Sequence, residues 1–67
     1  MIPTKRKRYS IEYRHATDLT QSFIGEGVYT GETDKESETD RELYAFCVDQ
    51  GDPRTTLFAD DDILYEV

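Results

Sequence analysis

Sixty-seven residues carry 36% hydrophobic and 34% charged side chains, with one cysteine and a formal net charge of −7. A chain this short forms one domain with a thin core. This argues against an enzyme with a deep private pocket and favours a binding module. A lone cysteine excludes an internal disulfide and favours an intracellular, cytoplasmic setting; no apolar run reaches the roughly 18–20 residues of a membrane span.

The charge is unevenly spread. Residues 1–14 hold five basic residues against Glu12, a local +4, while residues 15–67 hold three basic against fourteen acidic, a local −11. Met1–Lys7, with Pro3 and the run Lys5-Arg6-Lys7-Arg8, reads as a mobile basic arm with nothing to bury. Residues 8–67 then form a single small β domain.

From Arg8 the pattern alternates. Tyr9, Ile11 and Tyr13 fall on one face and Arg8, Ser10, Glu12 and Arg14 on the other, as in a half-buried strand. His15 to Leu19 should turn. Thr20 to Thr30 reads as a second strand, its apolar surface supplied by Phe23, Ile24, Val28 and Tyr29, with Gly25 and Gly27 marking a bulge or sharp bend. Gly31 to Glu42 lacks any apolar residue and suits a loop or a protruding hairpin tip. Thr33-Asp34-Lys35-Glu36 fits a capping box, but no amphipathic run follows, so a helix there is the lesser alternative.

Leu43 to Val48 is so continuously apolar that it should be a central strand without a clean wet face. Gln50 to Pro53 turns, and Arg54 to Phe58 returns as the fourth strand of a β-hairpin. Asp60-Asp61-Asp62 breaks it. Ile63, Tyr65 and Val67 then share one face of a short fifth strand. Five strands and no helical stripe predict an all-β fold, a small five-stranded barrel or a strongly bent antiparallel sheet.

The segment around the hairpin resembles the WYL domain of bacterial transcriptional regulators. Leu43, Ala45, Phe46 and Cys47 lead into Gly51, Asp52 and Arg54, followed by Asp61 and Ile63; Ile11-Glu12-Tyr13 resembles that domain's opening strand. The resemblance implies an SH3- or Sm-like barrel that senses a ligand, with Arg54 and Arg41 as its binding residues here. Arg41-Glu42-Leu43 stands where the family has Trp-Tyr-Leu, and Asp62 replaces an expected basic residue. Most of the family's positive ligand surface is therefore absent.

Other constellations point to recognition rather than chemistry. Glu32, Asp34, Glu36, Glu38, Asp40 and Glu42 occupy consecutive even positions. In an extended chain they would form one row with steps of about 6.6–6.8 Å, close to two of the roughly 3.4 Å steps between charges on a DNA strand. Such a row could imitate a phosphate backbone and enter a basic groove; the plainer alternative is a solvated loop. Asp60, Asp61 and Asp62 would extend this acidic surface, with an exposed Tyr44 or Tyr29 as an aromatic anchor.

Thr33, Ser37 and Thr39 lie among the acids as potential phosphoacceptors, although ordinary polar loop residues explain them as well. Lys5, Arg6, Lys7 and Arg8 are the candidates for direct nucleic-acid contact. The three aspartates lack an alternating calcium-ligand order. Cys47, expected as a buried inert thiol, makes a poor nucleophile with His15. The sequence thus favours a non-enzymatic acidic interaction module with no cofactor and no metal. Its expected partner is a protein with a basic surface, such as a nucleic-acid-binding protein that it regulates or inhibits. Its size and charge also suit a viral or mobile-element origin. The alternatives are a WYL-like ligand-sensing domain and a nucleic-acid binder acting through the basic arm.

Overall fold

Five strands and one short 3-10 helix build the domain in the order β1 (Arg8–Arg14), β2 (Ser22–Lys35), β3 (Glu42–Val48), β4 (Arg54–Phe58), the 3-10 turn Asp60–Asp62, and β5 (Ile63–Glu66). The computed structural model describes residues 1–14, 22–49 and 54–67, without the side chains of Arg14, Phe23, Arg54 and Thr55. The expected turns at 15–19 and 50–53 lie outside the described residues.

The strands form one antiparallel sheet in the order β4-β3-β2-β1-β5. Strands β4 and β5 are therefore opposite edges, although consecutive in the chain. In a flat sheet the edges would lie about four strand spacings, or roughly 19 Å, apart. Ala59 and the 3-10 turn between them span only about 13 Å, because a 3-10 residue advances roughly 2 Å. The sheet must curl. It does so far enough for Tyr13 of β1 to meet Phe58 of β4 edge to face at 5.3 Å, while β4 and β5 remain separate edges. Of the two expected forms, this is the strongly bent sheet.

The concave face is the core. It gathers Tyr9, Ile11, Tyr13, Tyr29, Tyr44, Phe46, Val48, Phe58 and Ile63. Phe46 is fully enclosed, with Tyr29, Tyr9 and Phe58 rings at 5.4, 5.9 and 5.9 Å. The alternation expected for β1 holds, since Tyr9, Ile11 and Tyr13 are all buried. β3 is interior to the sheet, as expected, and it has no clean wet face: on the side opposite the core Leu43 is half-buried and Ala45 buried. Tyr44, Phe46 and Val48 point inward, whereas Cys47 is exposed. The expectation of a buried thiol is thereby corrected: period-2 alternation turns position 47 outward whatever the polarity of its neighbours.

The two glycines expected to mark a bulge or bend in β2 carry no bulge against β1. Gly25 pairs with Ile11 and Gly27 with Tyr9 in unbroken register. A Cβ on Gly27 would lie 3.0 Å from the Cys47 carbonyl, 3.2 Å from Val48 and 3.3 Å from Ile11, so this glycine serves close packing. The irregularity falls instead between Tyr29 and Thr33, where β2 runs two residues ahead of β3. Gly31 sits there with φ +93°. β2 then continues to Lys35, five residues past its expected end, and the capping-box segment is strand rather than helix.

The N-terminal segment is also corrected. Pro3 is buried, so residues 1–7 do have something to bury. The Arg6 N–H donates to the Tyr29 carbonyl at 2.8 Å, the Tyr29 N–H to the Lys7 carbonyl at 3.0 Å, and the Thr4 N–H to the Tyr9 hydroxyl at 2.6 Å. The segment is docked beside β2, with the Lys5 stem lying over Gly31. In β5, Ile63 is buried but Tyr65 is exposed, as is Val67 just beyond the strand. A register shift opposite Ser10 and Ile11 accounts for the broken alternation.

Candidate functional site

The acidic segment is the far end of the β2–β3 hairpin. Asp34 pairs with Leu43 and Lys35 with Glu42. The turn is closed by Glu36 N–H to the Arg41 carbonyl at 2.9 Å and Asp40 N–H to the Glu36 carbonyl at 2.8 Å. Asp40 adopts φ +58°, a conformation that Asp tolerates better than most residues. Thr33 stands on β2, and Ser37 and Thr39 belong to the exposed turn.

This geometry corrects the single acidic row. Glu32 and Asp34 lie on β2, Glu36 and Asp40 flank the turn, Glu38 is at its tip, and Glu42 opens β3. Six carboxylates thus form two short antiparallel runs. The even spacing is an extended-chain property, and the turn cancels it.

All six residues are exposed. Among the described residues, Asp40 alone of the six forms an ion pair, with Lys35 at 3.6 Å. The acidic 3-10 turn joins this hairpin through Arg41, whose Nη2 donates to Asp60 Oδ1 at 3.2 Å and to Asp61 Oδ2 at 2.6 Å. Asp62 has no ion pair among the described residues. Hairpin and 3-10 turn therefore make one acidic surface clipped by a single guanidinium.

Arg41 changes role as a result. The sequence offers it as a ligand-binding cation beside Arg54, but its charge is already engaged by two carboxylates. No local pattern could reveal this, because Arg41 lies 19 residues from Asp60. Arg54 begins β4, and its side chain is outside the description. Tyr44 and Tyr29 are corrected too. Both are core residues, 8% and 6% exposed, with rings 5.6 Å apart edge to face. Neither is available as an exposed anchor. Burial, with smaller contributions from Glu42 and Asp60, pushes the Tyr44 hydroxyl pKa up.

In the basic segment, Arg8 pairs with Asp49 and, at 3.7 Å, with Glu26. Its pKa is raised chiefly by the hydrogen bond to Asp49. Lys5, Arg6 and Lys7 are exposed and have no ion pair among the described residues. Cys47 opens to solvent on the convex face, while its suggested partner His15 lies outside the described residues. No described group of three His, Cys, Asp or Glu side chains is disposed to hold a metal ion, and no described helix is long and apolar enough to cross a membrane.

The Arg41 clip has a pH signature. Its hydrogen bond holds the Asp60 carboxyl below its ordinary value. A carboxyl depressed in the folded state contributes stability above its unfolded pKa and loses it as pH falls through the folded one. The denaturation midpoint of the wild type should therefore exceed that of Asp60→Asn at neutral pH, and the gap should close below the ordinary carboxylate range. A gap that persists in strong acid would show that Asp60 acts through packing instead.

The arrangement can recognise charge. No family model, curated protein or solved structure matches the chain.

Proposed function

We propose that the protein is a non-enzymatic acidic interaction module that binds the basic surface of a nucleic-acid-binding protein and thereby regulates or inhibits it. The observation that carries this reading is the β2–β3 hairpin: six exposed carboxylates on a two-stranded support, of which only Asp40 is ion-paired among the described residues. Like charges that outnumber the cations among them store repulsion that a basic partner relieves, and complementary charge accelerates encounter. Glu32, Asp34, Glu36, Glu38, Asp40 and Glu42 would carry recognition, with Asp60, Asp61 and Asp62 alongside. The two-run geometry favours a compact acidic lobe over imitation of one nucleic-acid strand.

The other readings draw less from the molecule. A WYL-like ligand site would need Arg41 released from Asp60 and Asp61. Direct nucleic-acid binding would rest on Lys5, Arg6 and Lys7 against the repulsion of the acidic body.

The test replaces Glu32, Glu36, Glu38 and Glu42 with glutamine, leaving in place the ion pairs of Lys35 with Asp40 and of Arg41 with Asp60 and Asp61. Binding to an arginine-rich peptide is followed from low salt to about 0.5 M, where the screening length is only a few ångströms. The wild type should bind in low salt and release on salt addition, and the fourfold variant should lose at least about tenfold in affinity, or roughly 1.4 kcal/mol. Equal affinity of both proteins would remove the hairpin from the function. Deleting residues 1–7 is an unsuitable comparison, because that segment is docked on β2.

A further inference from the structure

We propose that β4 is a self-pairing edge: two copies of the chain join through antiparallel β4 strands about a two-fold axis at Thr56, which makes one continuous sheet of the two. The inference stands apart from the acidic hairpin, although it fixes how two such hairpins would be presented.

The two edges of the sheet are unequal. Among the described residues β4 pairs only with β3, and β5 only with β1. An open edge offers a row of backbone N–H and C=O groups to another strand, and proteins normally blunt it with charge, proline, a bulge or a cover. β5 is blunted in three of these ways. It carries Glu66 within four residues, and its register with β1 slips between Ser10 and Ile11. The Met1 nitrogen lies across its start, donating to the Asp60 carbonyl at 2.6 Å and to that of Ile63 at 3.5 Å. β4 has no such guard. Thr55 to Ala59 contain no charge and no proline, and the strand runs in unbroken register with β3 from Arg54 to Phe58. Leu57 adds an exposed apolar side chain to it.

Thr56 points to what pairs there. Its Oγ1 is buried without a hydrogen-bond partner, a condition that folded chains rarely leave uncorrected. The residue as a whole is half-buried and stands at the middle of β4, opposite Phe46. An antiparallel strand with the two-fold axis at this position sets the second copy's Thr56 directly opposite. The Cβ atoms then lie about 4.5–5.5 Å apart, a spacing over which threonine hydroxyls bond across a sheet. A turn about χ1 brings each oxygen to the seam, where one hydroxyl donates and the other accepts.

Charge selects the same arrangement. Arg54 opens β4, and Asp60, Asp61 and Asp62 follow its end. Antiparallel strands set the basic start of each copy beside the acidic end of the other, whereas parallel strands would set acid beside acid. Phe58 pairs with Tyr44, near the hairpin end of β3, so the two acidic hairpins are sent to opposite ends of the dimer, where they repel least. A two-fold pair of this kind closes on itself and stops at two copies.

Sedimentation equilibrium of the full chain from micromolar to millimolar concentration tests the pairing. It is run in about 0.5 M salt, which screens the repulsion between two chains of net charge −7. The wild type should be a monomer–dimer mixture. Leu57→Lys, which places a charge on the open edge, should raise the dimer dissociation constant about tenfold or more. Leu64→Lys on β5, also at an exposed leucine, should leave it unchanged. Thr56→Cys in a Cys47→Ser background should form a disulfide-linked dimer with oxidised glutathione, because directly opposed positions lie within the Cα separation that a disulfide accepts. Leu64→Cys in the same background should not. A wild type that stays monomeric throughout would overturn the proposal. Equal weakening by the two lysines would overturn it too, as would growth beyond the dimer, which would mean that β4 pairs with β5. A dimer in which Thr56→Cys fails to cross-link would overturn the two-fold axis at Thr56. Each of these results leaves the hairpin's own test, peptide binding at low salt, to stand or fall by itself.

Discussion

Phe46→Ala is expected to remove about 3–5 kcal/mol, a large share of the net stability of the domain. A domain of this length holds about 3–10 kcal/mol of net stability at the usual ~0.05–0.15 kcal/mol per residue. Removing a buried phenylalanine costs about 3–5 kcal/mol, the lost transfer free energy plus the cavity left behind. Phe46 is the worst place in this fold to lose it. It is fully buried and touches Tyr9 of β1, Tyr29 of β2 and Phe58 of β4, so three strands converge on its ring. Few neighbours can collapse into the gap, because their own positions are fixed by the sheet. Urea denaturation followed by tyrosine fluorescence and near-ultraviolet circular dichroism measures the loss. Leu57→Ala is the control; Leu57 is 46% exposed on the convex side of β4 and should cost under about 1 kcal/mol. A Phe46→Ala midpoint close to the wild type would show that this ring is not the centre of the core.

Gly31→Ala should destabilise the protein by about 1–2 kcal/mol, the price of a left-handed backbone for an L-residue with a side chain. With φ at +93°, Gly31 allows β2 to run two residues ahead of β3 before the hairpin resumes in register. It also clears room for Lys5: a Cβ here would lie 2.6–2.8 Å from three carbons of the lysine stem. The two costs are separable. Repeating the substitution in a Lys5→Ala background removes the clash and keeps the backbone penalty, so the double-mutant cycle reports how much of the loss belongs to docking of the N-terminal segment. A penalty below a few tenths of a kcal/mol in both backgrounds would mean that the bulge is not held at Gly31. Because this bulge sets the register of the acidic hairpin, Gly31→Ala should also alter partner binding more than its distance from the carboxylates suggests.

Position 31 also shows why glycines were the least legible part of the sequence. Gly25 and Gly27 sit inside an otherwise regular strand pattern and invite the reading of a bend. Neither shifts the register with β1; Gly27 leaves space for Ile11 and Val48 brought in by β1 and β3. Gly31 opens a polar run that looks like a loop, and there the glycine does shape the backbone. A glycine reports that a side chain is unwanted, and only the neighbouring strands say whether sterics or φ is the cause.

The same division runs through the candidate site. Its composition is local: six carboxylates in twelve residues and three more before Ile63 are read directly from the chain. Its geometry is not. The even spacing of the acids promises one row, but the hairpin turn folds the row in two. Arg41 reads as a free cation, but the curl of the sheet brings it to Asp60 and Asp61. Tyr44 reads as a candidate anchor because tyrosine suits interfaces, yet it lies on the inward phase of β3, in register with Phe58.

Period-2 alternation, turn residues and charge by themselves determined the all-β class, the approximate places of five strands, the inward face of β1 and the existence of an acidic segment. These are properties of near neighbours, within reach of one or two peptide units. Tertiary structure alone decided the docking of the N-terminal residues, the position of the bulge and the closure of the Arg41 clip. Each depends on which strand lies beside which. That order follows from closing a thin aromatic core with a linker too short to span a flat sheet.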